Sequence, residues 1–166
     1  MGAASAPETP YAAFVRLPVP LRRLAYRVAY VLLCVYRFTV RPRLTGVKCV
    51  LTDGDLVLLV RHTYGPSEWD LPGGGIKRHE PPVMAAQREM HEELGVALHE
   101  LRDMGEVLAR LHNSPVTVHC FRTELRDPSL AIDRGEIAAA RWFDHKGLPP
   151  NLGRLVRPVL TRSGVG

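Results

Sequence analysis

Four glutamates within one short stretch constrain this chain more than any other feature. Gly74–Val96, GGIKRHEPPVMAAQREMHEELGV, carries Glu80, Glu89, Glu92 and Glu93. The last three stand at i, i+3 and i+4, a spacing that places their carboxylates on one face of a helix within about one turn. Like charges at that spacing repel each other and weaken a helix unless a cation lies between them. Val83, Ala86, Met90 and Leu94 make an apolar stripe on the same segment, so the helix is expected to pack on a core as well. Glycines and Glu80 run up to the helix start, where a loop without side chains comes close to a bound phosphate or metal.

The rest of the chain has to supply that core. At 166 residues it suits one domain plus an appendage, and 46% apolar with 23% charged residues is ordinary for a globular protein. Cys34, Cys49 and Cys120 are widely spaced with no C-x-x-C pair, which argues for reduced thiols inside a cell rather than disulfides or a zinc site. Cys49 and Cys120 lie in strand-like runs and read as core residues.

Charge divides the chain. The whole carries +5, residues 1–45 alone carry +6 from seven arginines against Glu8, and the remainder is therefore −1. Attraction to polyanions belongs to this leader and not to the segment with the carboxylates, and no specific nucleic-acid binding is expected. Residues 1–20 are rich in Ala and Pro and are expected to be poorly ordered. Residues 21–38 read as a helix with Leu21, Leu24, Val28, Leu32 and Val35 on one stripe, closed by Pro42. Its fully apolar middle is too short to span a bilayer. Three readings stay open for residues 21–43: docking on the chain's own domain or in a homodimer, lying on a membrane surface, or targeting. The expected location is cytoplasmic, with a peripheral position at the inner face of the membrane as a variant.

From Gly46 the pattern changes. Val47–Thr52 and Leu56–His62 are β-rich and joined by Asp53-Gly54-Asp55, a hairpin signal. Strand-like runs follow at 104–111 and 116–124, then a loop at 127–135, a strand at 139–143 opened by Glu136, and a short helix at 152–160. Strands and helices mixed in this way predict α/β layering.

The spacing of Gly74, Glu80, Arg88-Glu89-Met90, Glu92-Glu93 and Gly95-Val96 resembles the Nudix signature at every defined position. The preceding Trp69-x-Leu71-Pro72-Gly73-Gly74 is similar to the lead-in of many Nudix proteins. The resemblance covers residues 46–148 and implies the Nudix (MutT-like) fold, a mixed sheet sandwiched between helices (α/β/α). The N-terminal helix is extra to that pattern, so the division is a basic leader over 1–45 and a Nudix domain over 46–166.

By the same resemblance the chain is a Mg²⁺-dependent hydrolase, with Mn²⁺ as substitute, cleaving a diphosphate linkage in a nucleoside diphosphate joined to another moiety. Glu89, Glu92 and Glu93 would hold the metal, joined by the carbonyl of Gly73. Arg88 would pair with Glu80 and orient Glu89, while Gly74, Glu80 and Gly95 shape the motif. Glu136 matches a loop glutamate that often binds a further metal, and the general base is Glu89, Glu92 or Glu136. His79, His91, His112 and His119 are lone histidines with no required part. No tyrosine or proline stands where diadenosine polyphosphate or ADP-ribose hydrolases carry one, which leaves a nucleoside triphosphate, a nucleotide sugar or a non-nucleotide, lipid-linked diphosphate. A non-cleaving nucleotide sensor and an isomerase with a catalytic cysteine are the alternatives from other classes.

Overall fold

A computed structural model describes residues 14, 16–111, 114–125 and 129–165. The poor order expected of residues 1–20 bears mainly on positions outside that set, and His112 lies outside it as well.

In chain order the described elements are α1 (Val19–Val40), β1 (Leu44–Asp53), β2 (Leu56–His62), α2 (Pro82–Leu94), β3 (Arg102–Leu111), β4 (Ser114–Glu124), β5 (Ile137–Asp144) and α3 (Val156–Arg162). The strands form one sheet in the order β3-β4-β1-β2-β5. β1 runs parallel to β4, and the other three pairings are antiparallel. The sheet is therefore mixed, as expected.

β1 and β2 lie in the middle of the sheet, and their alternation fills both of its faces. Val50, Val57 and Leu59 point toward α3, where Val156, Val159 and Leu160 complete one core. Val47, Cys49, Leu51, Leu58 and Val60 point the other way, toward Ala85, Ala86, Met90 and Leu94 of α2. Met90 and Leu94 are fully buried, each worth about 1.5–3 kcal/mol of apolar burial. The α/β/α sandwich follows from these two cores. Cys120 joins the first core and Cys49 the second.

Several elements differ in detail from the sequence reading. Val83 is 39% exposed, and Ala85 takes its place in the α2 stripe because the helix starts at Pro82 and turns that position outward. α3 begins at Val156, not 152, since Leu152 pairs with Trp69 in an isolated bridge. Pro158 thus falls in the first helical turn, where a missing N–H breaks no intrahelical bond. Glu136 lies in the turn just before β5 rather than in the strand.

For α1 the sequence leaves three readings open, and its contacts bear on the first of them. Its stripe of Leu21, Leu24, Val28, Leu32 and Val35 faces solvent, with Leu32 64% exposed. The face turned to the rest of the chain carries Arg22, Tyr26, Tyr30, Cys34 and Arg37. Arg22 reaches Asp133, and Arg23 and Arg27 donate to the carbonyls of Arg134 and Thr63. The helix docks on its own domain through polar and aromatic contacts.

Candidate active site and metal centre

α2 starts where Pro81-Pro82 fix the backbone and ends at Gly95, whose φ of 68° forms a left-handed cap bonded to His91. Between these limits its glutamates fall into two groups. Glu93 points inward, 1% exposed, and accepts a 3.0 Å hydrogen bond from the Gly73 N–H. Glu89 and Glu92 sit at the margin and are gathered by Arg88, whose Nη1 donates to Glu89 Oε1 at 2.7 Å and Glu92 Oε2 at 3.1 Å.

Arg88 also reaches back to the loop. It donates to both carboxylate oxygens of Glu80, at 2.8 and 2.9 Å, and to the Gly75 carbonyl at 2.9 Å. This bidentate pair is the strong form of an arginine–carboxylate contact. The Arg88 hydrogen bond, against a small opposing effect of burial, holds the Glu80 carboxyl down to about 2. The Lys77 N–H caps the same carboxylate at 2.8 Å.

Gly73 and Gly74 of the loop are required by close approach. At Gly73, with φ of 132°, a Cβ would stand 2.3 Å from the Val47 carbonyl oxygen. At Gly74 it would stand 2.6 Å from the Glu89 carboxylate. The loop is pressed between β1 and the carboxylates of α2, and only glycine fits there.

Glu136 comes to the cluster from the turn before β5. β5 pairs with β2 so that Ile137 stands opposite His62, across a register shift that re-aims the strand end. His62, Glu93 and Glu136 consequently offer ligand atoms within 4.8 Å of one another. The Tyr64 hydroxyl donates to Glu136 Oε1 at 2.9 Å. Tyr64 in turn stacks on Tyr26 of α1, with centroids 5.7 Å apart and planes 18° apart.

Burial is the main cause that raises the carboxyl pKa of Glu93, of Glu89 and of Glu136. Glu136 raises Glu93 further, and hydrogen bonds from Tyr64 and Tyr26 partly restrain Glu136. Burial and then Lys48 push His62 down to about 4, so it is a neutral imidazole with a lone pair to offer. Its Nδ1 is buried with no hydrogen-bond partner. Burial would lower Lys48, but Asp70 and Glu93 outweigh it and leave it raised and charged; its Nζ bonds Asp70 at 2.9 Å. Three crowded carboxylates and a neutral imidazole with an orphaned ring nitrogen fit a divalent cation.

Of the residues singled out in the sequence, Glu80, Glu89 and Glu92 gather on Arg88, Gly74 packs against Glu89, Gly73 bonds Glu93, and Glu93 with Glu136 shares the ligand group of His62, while Gly95 closes the helix. His91 is exposed on α2, and His119 sits on β4 beside Glu106 at 3.3 Å. His62, Tyr64, Tyr26 and Lys48 were not among the sequence candidates. A wide cleft of about 820 Å³ lined by Thr52, His99, Arg102 and Arg122 shares no residue with this cluster. Burial pushes the Cys120 thiol up to about 11 and the Cys49 thiol higher, so neither is poised as a nucleophile.

The NUDIX domain model matches residues 42–162. The chain belongs to the NUDIX family. Among its curated NUDIX relatives, diphosphoinositol polyphosphate phosphohydrolase 2 of Rattus norvegicus is 36% identical over 91 residues, 54% of this chain and 50% of that protein. The RNA pyrophosphohydrolase of Cellvibrio japonicus is 45% identical over 52 residues, 31% of each chain. The match spans about half the length of the first of these relatives. A MutT NUDIX hydrolase structure from Burkholderia pseudomallei superposes with a TM-score of 0.67 at 23% identity, covering 73% of this chain and 98% of that one. That likeness concerns the fold, and α1 precedes the part matched by the family model.

Proposed function

We propose that this NUDIX protein hydrolyses a diphosphate linkage with a bound divalent cation, Mg²⁺ or Mn²⁺. The observation that carries the reading is Glu93: it is almost fully buried, held by the Gly73 amide, and flanked by ligand atoms of Glu136 and His62. A buried carboxylate facing a second one is costly unless a cation or a proton neutralises the pair.

Glu89, Glu92, Glu93 and Glu136 would hold the metal, with the Gly73 carbonyl and His62 as further donors. Bound there, the ion would neutralise phosphate oxygens and lower the pKa of a coordinated water. The chain's own residues do the positioning. Arg88 locks Glu89 and Glu92 to the glycine loop through Glu80, so the carboxylates keep one arrangement as substrate arrives. Glu136, its carboxyl raised by burial and its Oε1 held by the Tyr64 hydroxyl, is placed to accept a proton from a coordinated water.

Two relatives named for hydrolysis of phosphoanhydrides, one on an inositol and one on RNA, support the reaction class. The substrate is accordingly a diphosphate on a nucleoside or on a polyol. The test is phosphate release from a panel of nucleoside triphosphates, nucleotide sugars and diphosphoinositol polyphosphates, with Mg²⁺ and with a chelator. Turnover of at least one member, dependent on the metal, is the expected result. Binding without turnover across the panel would make the protein a sensor.

A further inference from the structure

α1 presents two faces, and only one is used within the chain. Arg22 and Tyr26 hold the helix to the loop at 133–136 and to Tyr64, which fixes the opposite face outward. That face carries Leu24, Val28, Val31, Leu32, Val35 and Phe38, each 50–70% exposed. It runs most of the length of a 22-residue helix, about 33 Å. An apolar patch of that length on a globular domain marks a place where something else docks.

We infer that α1 lies flat on an anionic lipid bilayer, its apolar face in the headgroup region. Charge selects this occupant. No Asp or Glu occurs between residues 9 and 52, and arginines border the apolar face at both ends. Arg23 and Arg27 bond the domain through Nε and keep exposed guanidinium groups near the start of the helix, and Arg41 and Arg43 are exposed just beyond its end. Each aliphatic stem can lie along apolar surface while its guanidinium reaches lipid phosphates. A second copy fits worse. An antiparallel pairing through this face would set Arg23 and Arg27 of one helix over Arg41 and Arg43 of the other, and a parallel pairing would stack each set on itself. Neither helix has a carboxylate to neutralise them. No helix among the described residues is long and apolar enough to cross a membrane, so the contact is interfacial.

Sedimentation of the full chain with phosphatidylserine–phosphatidylcholine vesicles, and with phosphatidylcholine vesicles alone, tests this. The protein should pellet with the anionic vesicles at low salt, and added salt should release it. Leu24→Asp with Leu32→Asp should lower binding to anionic vesicles by about tenfold or more. Arg41→Glu with Arg43→Glu should weaken it without touching the apolar face. Thermal melting of each variant checks that the fold is intact. A chain that stays in the supernatant with both vesicle types overturns the inference. If it then also runs as a dimer that the leucine substitutions split, a second copy covers the face. Equal pelleting with neutral vesicles would remove the arginines from the account and overturn it in this form.

Discussion

Arg22 of α1 and Asp133, 111 positions later, form a 2.5 Å ion pair with both side chains less than a tenth exposed. Asp133 also organises the turn that presents Glu136. Its side chain accepts the Gly135 N–H at 2.8 Å, and its carbonyl accepts the N–H groups of Glu136 and Ile137. The helix outside the family pattern is thereby joined to the loop that completes the site. Arg22→Ala would strand a buried carboxylate, and breaking such a pair from one side costs about 3 kcal/mol or more. A urea titration should show the lower midpoint. An unchanged midpoint would mean the pair carries no stability and α1 is held by its tyrosines, Arg23 and Arg27.

The buried carboxylates give the metal-free protein a definite pH dependence. Glu89, Glu93 and Glu136 are all raised when folded, chiefly by burial, from an ordinary value of 4.5. The native state then holds protons that the unfolded chain has lost. The stability they contribute is fully present below 4.5 and is lost as pH rises through the folded values. His62 acts in the opposite sense, lowered from 6.5 to about 4, so its contribution is lost as pH falls below 6.5. Above 6.5 His62 is neutral in both states. In chelator the melting temperature should therefore climb as pH falls through the folded values of these carboxyls toward 4.5, with His62 opposing the climb below 6.5. Mg²⁺ should flatten that slope by stabilising the ionised carboxylates. A flat or falling profile in chelator would contradict the burial of ionisable carboxyls at this site.

Tyr64 offers a separate probe of Glu136. Its hydroxyl stabilises the ionised carboxylate, so Tyr64→Phe removes a restraint and moves the Glu136 pKa upward. The acid limb of the kcat profile should shift to higher pH. Glu136→Gln should lower kcat while leaving the melting temperature nearly unchanged, since Gln keeps the size and still accepts from Tyr64. An unshifted limb together with an unchanged rate would remove Glu136 from the reaction.

The local half of this molecule was legible in the sequence. Glu89, Glu92, Glu93 and Arg88 share one helix, so their spacing alone brings them together, and the β-rich runs Val47–Thr52 and Leu56–His62 with Asp53-Gly54-Asp55 between them read directly as a hairpin. What was not legible depends on chain crossings. His62 read only as the last residue of a strand, and the pairing of β2 with β5 sets it beside Glu136. Tyr64 sits in a loop with no periodicity, and its role arises from α1 folding back over it. Which face of α1 meets the domain was not legible for a physical reason. Periodicity finds an apolar stripe but says nothing of what it meets, and here the arginine–tyrosine face had the specific partners.

Glu93 is the residue on which the account turns. Glu93→Gln keeps an acceptor for the Gly73 N–H while removing the charge, so the metal-free variant should melt no lower than the parent. With Mg²⁺ and the best substrate of the panel, kcat should fall by at least about 100-fold, the scale of losing one electrostatic group at the reacting centre. Measuring kcat for parent and variant with Mg²⁺, and for the parent in chelator, is the most direct test. Both the substitution and the chelator should abolish turnover in a protein that stays folded. Turnover of the parent surviving complete chelation, or a variant within tenfold of it, would contradict the metal site proposed here.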